Sequence, residues 1–320
     1  MSKKLKGQEL IEAEDKLSNY QGNDKVVSSH ELALELKDTK ESVFNIKTGI
    51  NSLDRILDGT EAGELIVVTG PTGEGKTTLL MTITQNLQKM KIPSLWFTLE
   101  VTPRQFIKKI SKDSGMDMPL FYLPHRGMED SDDEFVKWWE QKHGKQMDMV
   151  DWIEAKIIEA VNKYNTRVIF IDHIHMIYSL EKMGNKSLSL EIGDMVGKIK
   201  KIALDYNLIV WLIAHCKDPA DGRMREPRKE DIRDSGLISR LADTIIGVWR
   251  IKNEDDGTNP IRQTDFDEAD KKAKIRVFKN RREGTQGQAI MYHNSHYLSE
   301  ELQIDDFMNN KNYKDDLENF

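Results

Sequence analysis

This sequence predicts an α/β fold with a mainly parallel central sheet flanked by helices, on the strength of three observations. Apolar runs recur along the chain as "ELIVVTG" (64–70), "PSLWFTLE" (93–100), "TRVIFIDH" (166–173), "NLIVWLIAH" (207–215), "TIIGVWRI" (244–251) and "KIRVFKN" (274–280). Amphipathic helical stretches separate them, which is the alternation of an α/β domain. The runs are continuously apolar, as strands buried on both faces require, instead of alternating with polar residues as half-exposed strands do.

In chain order, residues 1–42 are polar and carry two short helical patterns, the second opened by a capping box, Ser28 with Glu31 three residues on. They read as an N-terminal arm or linker helix. The α/β domain is expected over 43–299, and the Asn- and Asp-rich residues 300–320 read as an acidic, disordered tail. Between the second and third runs, the stretch 121–151 with "DEFVKWWEQKHGKQ" is longer than an ordinary connection and suggests no chemistry of its own.

Composition bounds the function classes. No run of about 18 apolar residues occurs, and the start "MSKKLKGQELIEAEDKL" turns acidic before any apolar signal core, so the expectation is a soluble, cytoplasmic protein with no membrane role. Cys216 is the only cysteine, which excludes an internal disulfide and a multi-cysteine zinc site. His173, His175, His215 and Cys216 do not have zinc-ligand spacing. A net charge of -7 argues against a protein that coats nucleic acid with its whole surface. Base is nevertheless concentrated in "DGRMREPRKE" (221–230) and "KKAKIRVFKNRR" (271–282), so the field is local.

The first run leads straight into "GPTGEGKT", Gly70 to Thr77, which fits G-x-x-x-x-G-K-[ST] at every position and stands between a strand and a helix. A random chain of this length would carry the pattern roughly once in a hundred, so it marks a nucleoside triphosphate site. Gly70, Pro71, Thr72, Gly73, Glu74, Gly75, Lys76, Thr77 and Thr78 are the expected cradle: glycines let backbone N–H groups turn inward, Lys76 reaches the β- and γ-phosphates, and the Thr77 hydroxyl holds Mg2+.

Ligands of open parallel sheets sit beyond the carboxyl ends of the strands, so polar residues closing the other runs are the next candidates. Glu100 closes "SLWFTLE" and is placed to orient or deprotonate the attacking water. It precedes Thr102-Pro103-Arg104-Gln105, the start of a capped helix. Asp172 ends "RVIFID" as a Mg2+ ligand, and His215 ends "IVWLIAH" as a polar sensor of the γ-phosphate.

With these residues in place, the chain resembles the ring-forming RecA-like replicative helicases, the group that includes DnaB, the mitochondrial Twinkle helicase and the primase-helicases of T-odd phages. The matching pieces stand in family order: "GINSLDRILDGTEAGELIVVTGPTGEGKTT", "WFTLEVTPRQF", "VIFIDHIHMI", "IVWLIAHCKDP", "DIRDSGLISRLADTIIGVWR" and "VFKNRREGTQG". His215 stands where a DnaB-type sequence usually has Gln, and the wording is nearest to the phage and Twinkle branch, which leans towards a phage source in a bacterial host. The resemblance implies a hexameric ring that binds ATP at each subunit interface and single-stranded DNA in its channel. It implies an arginine finger at Arg281, with Arg282 one residue away as the alternative, and Lys279 as the basic residue two before it. It also carries Lys217, Arg223, Arg233, Ser235 and Gly236 over as phosphate contacts of the central loops, a role their chemistry suits. Because only the motor is matched, the resemblance implies a separate primase, with a loader or polymerase as further partners. The expected function is an ATP-dependent replicative DNA helicase. A DNA-stimulated or signalling ATPase without unwinding, and a nucleotide-switched interaction protein, are the alternatives.

Overall fold

The computed structural model describes residues 16, 27–31, 34, 44–98, 103–110, 120–122, 133–175, 177, 188–217, 226–232, 235–251, 272–294 and 297–300. The chain divides into two units, 1–43 and 44–320. In the first, the expected capping box is formed: the Ser28 N–H donates to Glu31 Oε2 at 2.9 Å and the Glu31 N–H to Ser28 Oγ at 3.1 Å.

The second unit is built on a sheet of nine strands among the described residues, in the order β11-β10-β9-β8-β3-β7-β6-β4-β5. These are β3 (Leu65–Gly70), β4 (Ser94–Thr98), β5 (Leu120–Tyr122), β6 (Val168–Asp172), β7 (Ile209–His215), β8 (Thr244–Arg250), β9 (Lys272–Asn280), β10 (Gly287–Asn294) and β11 (Tyr297–Ser299). A small antiparallel pair, β1 (Asn45–Ile46) and β2 (Thr60–Glu61), precedes it. The six strands from β8 to β5 are parallel, as the apolar runs predict. The run "KIRVFKN" departs from that pattern: it lies in β9, antiparallel to β8 and to β10. A short connection, 281–286, that opens with a turn joins β9 to β10, whereas a parallel partner needs a crossover of a dozen residues or more.

The helices are α1 (Asn51–Leu57), α2 (Lys76–Lys89), α3 (Pro103–Ile110), α4 (Asp133–His143), α5 (Met149–Tyr164), α6 (Leu188–Asp205) and α7 (Ser235–Leu241). They make continuous apolarity in the strands a necessity. Leu65, Val67, Ile169, Ile171, Val210 and Leu212 pack on one face with Trp152, Ile153 and Ile157 of α5 and Ile192, Val196 and Ile199 of α6. Their sequence neighbours Ile66, Val68, Phe170 and Trp211 pack on the other face with Leu53 of α1, Leu79, Leu80 and Ile83 of α2 and Phe106 of α3. Alternate residues therefore enter two separate cores.

Local chemistry sets several helix ends. Asp148 caps α5 through a reciprocal box with Asp151, and Asn165 ends it in a left-handed turn at φ 53°. Glu300, which the sequence places in the tail, accepts the Asn51 and Ser52 N–H groups at the start of α1. The unassigned stretch 121–151 contributes α4, whose Trp139 is 8% exposed and stacks on His143 while Trp138 faces solvent.

Phe170 is fully buried and stacks on Trp96 with centroids 4.8 Å apart. Phe170→Ala is expected to lower the unfolding free energy by about 3–5 kcal/mol, read as a lower urea midpoint with an unchanged slope.

Candidate functional site

The glycine-rich turn joins the end of β3 to the start of α2, and two of its glycines are demanded by their surroundings. Gly70 has φ 150°, and a Cβ there would stand 2.3 Å from the Val248 carbonyl oxygen of β8. Gly75 has φ 103°, and a Cβ would stand 2.8 Å from the His293 ring. No side chain caps the first turn of α2, which leaves its amides and the positive end of its dipole facing the turn. Lys76 is buried and donates from Nζ to the Gly70 carbonyl at 2.9 Å and the Pro71 carbonyl at 2.8 Å. Thr72 and Gly73 are exposed at the tip. Glu74 is buried with its Oε2 accepting the Arg250 N–H at 2.7 Å, so its carboxylate braces β8, and its share in the cradle falls to the backbone.

The carboxyl edge of the sheet brings the strand-end residues together. His215 pairs in register with Gly70, and Asp172 with Thr98. Asp172 is 2% exposed and its Oδ2 accepts the Thr77 hydroxyl at 2.8 Å, across the gap left by the intervening strand β7. One hydroxyl and one carboxylate beside a phosphate cradle form a fitting set for Mg2+, which keeps several waters and takes the rest of its shell from phosphates. Among the described residues there is no group of three or more His, Cys, Asp and Glu that could hold a metal. The histidine rings do cluster: His173 lies 4.0 Å from His215 and 5.8 Å from His175, centroid to centroid. Burial pushes the His173 imidazole down to about 3, with His215, His175 and Lys76 adding to the shift. Burial also raises the Cys216 thiol, which lies 3.3 Å from the Thr69 hydroxyl. Glu100 and Thr102 lie outside the described residues; the described chain leaves β4 at Thr98.

The two segments expected to meet DNA share a base. The Lys217 N–H donates to the Asp231 carbonyl at 2.7 Å, and Cys216 forms an antiparallel bridge with Ile232. The chain that leaves β7 thus returns to it before entering α7. Lys217 and Gly236 are exposed, and Ser235 opens α7. Arg223 and Arg233 lie outside the described residues, as does the Ser235 side chain. Part of the later basic stretch, 271–282, is neutralised from here, since Glu226 accepts from Lys274 at 2.9 Å and Arg276 at 3.0 Å.

Arg281 and Arg282 have different surroundings. The Arg282 guanidinium donates to Glu64 at 3.2 Å, Glu61 at 2.9 Å and the Leu57 and Gly59 carbonyls at 2.7 and 2.9 Å, and its side chain is 20% exposed. It staples the turns around β2. The Arg281 side chain is 51% exposed, with Nη1 on Asp243 at 2.9 Å and Nη2 on the Arg240 carbonyl at 2.6 Å. Lys279 caps α7, donating to the Ser239 and Ala242 carbonyls at 2.8 and 2.6 Å, and burial, followed by the neighbouring Arg281, lowers its pKa. Arg281 follows the end of β9, which is paired with the start of β8. It therefore lies at the edge of the sheet opposite the glycine-rich turn, about 17 Å away along β3.

Two edge residues escaped the sequence reading. Arg250 closes β8 and His293 stands near the close of β10, and both strands run in the direction of β3. The rule that found Asp172 would have found His293 had the antiparallel course of β9 been known. Burial, with Arg250 nearby, pushes the His293 imidazole down to about 4.

Residues 45–300 match the family described as the DnaB-like helicase C-terminal domain. The chain belongs to that family. Its relatives include the replicative DNA helicase DnaB of Mycoplasma pneumoniae, 26% identical over 230 residues that cover 67% of this chain and 48% of that protein. The replicative DNA helicase DnaC of Bacillus subtilis is 22% identical over 71% of this chain and 52% of its own length. The chain thus spans about half the length of the curated relatives it matches. A solved DnaB-like replicative helicase, studied for its interactions with primase, superposes with a TM-score of 0.59 at 16% identity over 91% of this chain and 71% of that one, a likeness of fold. Among the described residues, no helix of this DnaB-like domain is long and apolar enough to cross a membrane.

Gly75→Ala is expected to weaken nucleotide binding by about tenfold or more, measured with a fluorescent analogue, while the far-ultraviolet circular dichroism stays unchanged. The unfolded chain protonates His173 and His293 near pH 6.5, whereas the folded chain holds both neutral until about pH 3 and 4. The sign follows: stability falls as pH drops below about 6.5, and His293→Asn should flatten part of that fall in urea titrations.

Proposed function

We propose that this DnaB-like domain is the motor of an ATP-dependent replicative DNA helicase, which assembles as a hexameric ring and translocates on single-stranded DNA. The observation that carries the reading is the placement of Arg281 at the edge opposite the glycine-rich turn, which puts it out of reach of the nucleotide on its own subunit. An arginine so placed completes a phosphoryl-transfer site only on a neighbour, and hydrolysis then depends on assembly. Arg281 is preferred to Arg282 because its side chain is half in solvent, whereas that of Arg282 is 20% exposed and held by Glu61, Glu64 and the Leu57 and Gly59 carbonyls.

In this reading the amides from Gly70 to Thr78 and the Lys76 ammonium bind the ATP phosphates. Thr77 and Asp172 would hold Mg2+, which would supply charge neutralisation to the phosphates. Glu100 orients the attacking water and accepts its proton as the bond between the γ-phosphorus and the β-γ bridging oxygen breaks. His215, in register with Gly70 on the adjacent strand, senses the γ-phosphate and stands at the head of the loop that begins at Lys217. Lys217, Arg223, Arg233, Ser235 and Gly236 then follow the phosphate backbone of the DNA in the channel. Lys279 must exchange its two α7 carbonyls before its ammonium can meet nucleotide. Priming falls to a separate primase, in keeping with the primase interactions studied in the DnaB-like relative.

The test is ATP hydrolysis with and without single-stranded DNA, on the wild type, Glu100→Gln, Arg281→Ala and a 1:1 mixture of the two variants. Each variant alone should lose at least about a hundredfold in DNA-stimulated rate, and the mixture should recover part of it. Hydrolysis indifferent to both DNA and Arg281 would remove the helicase reading.

A further inference from the structure

Asp243 occupies the one-residue gap between Ala242, which follows α7, and the start of β8, and it is 7% exposed. A carboxylate buried so far is costly unless each oxygen is matched, and here the two oxygens have separate partners. Oδ2 accepts the Leu65 N–H at 2.9 Å and the Lys200 ammonium. Oδ1 accepts Nη1 of Arg281 at 2.9 Å. The backbone repeats the connection, with the Asp243 N–H on the Leu65 carbonyl and the Arg281 N–H on the Asp243 carbonyl, both at 2.9 Å. Lys200 and the Leu65 amide would serve a purely structural acid through Oδ2. The second oxygen instead holds a guanidinium that is half in solvent.

We propose that Asp243 is the positioning residue of the finger Arg281. The inference rests on the reading of Arg281 as the residue that acts on the neighbour's nucleotide. A free arginine side chain gives up rotamer entropy when it is fixed at a transition state, and one already held loses less. Asp243 fixes one arm of the fork and the Arg240 carbonyl fixes the other, leaving the remaining N–H groups for the neighbouring subunit. The Arg240 carbonyl belongs to the last turn of α7, whose first turn holds Ser235 and Gly236. The finger and the expected DNA contacts are thereby attached to opposite ends of one seven-residue helix.

The experiment measures DNA-stimulated ATP hydrolysis on the full chain. Asp243→Asn should lower kcat by about tenfold or more with KM within about threefold. Combining it with Arg281→Ala should be no worse than Arg281→Ala alone. Mixed 1:1 with Glu100→Gln, Asp243→Asn should recover activity, because each variant supplies the face the other lacks. Mixed with Arg281→Ala, which is defective on the same face, it should recover none. Lys200→Met removes the other cation and should stay within about twofold of the wild type.

Wild-type kcat in Asp243→Asn, a further loss in the double variant, or the same loss in Lys200→Met overturns the proposal. If Asp243→Asn does not fold, Asp243→Glu keeps the charge opposite Lys200 and is judged by the same mixtures. Unfolding of both variants would make Asp243 a residue of the fold alone, and the proposal fails. Full activity of Arg281→Ala would instead defeat the finger reading beneath it, a result distinguishable from an impaired Arg281→Ala beside an unimpaired Asp243→Asn.

Discussion

Strand β3 is hydrogen-bonded on both sides, in register with β7 and β8, and all six of its residues are buried. A strand held in this way cannot slip, because a shift of one residue would move Val67 and Val68 into each other's cores. Its two ends are therefore fixed relative to each other. One end delivers Gly70 and the phosphate cradle, while the other delivers the Leu65 amide and carbonyl to Asp243 and, through it, to Arg281. On the proposed reading, in which Arg281 acts on a neighbour's nucleotide, the length of this strand sets the spacing between the cradle and that arginine.

The basic residues divide by what already neutralises them. Arg282 is committed to Glu61 and Glu64, Lys274 and Arg276 to Glu226, and Lys279 to the carbonyls of α7. Arg281 keeps half its side chain in solvent although it is paired. A run of base in the sequence is thus mostly the inner bracing of a sheet edge, and the charge left to act on a phosphate is far smaller than the run suggests.

Much of the fold was legible because strands buried on both faces must be apolar at every position, a pattern that few other environments impose. The glycine-rich turn was legible because its pattern is local: glycines, a lysine and a threonine stand within eight residues. Asp172 could be found from the strand-end rule, since β6 is parallel and its last residue has to lie on the ligand edge. His293 could not be found in the same way, because the direction of β10 depends on the short connection that precedes it, and the run "KIRVFKN" does not tell a parallel strand from an antiparallel one.

The sequence by itself determined that a glycine-rich turn of the phosphate-binding pattern joins a buried strand to a helix, and it singled out Lys76, Thr77 and Asp172, which the fold brings to that turn. Only the tertiary structure decided which of two adjacent arginines stays available, which carboxylate holds it, and that it stands across the sheet from its own cradle. The reason is physical: local motifs are specified by neighbours in the chain, whereas the partners of a charge are chosen by strand order, and strand order places Asp243 beside Leu65 and Arg281 although the chain separates them by 178 and 38 residues.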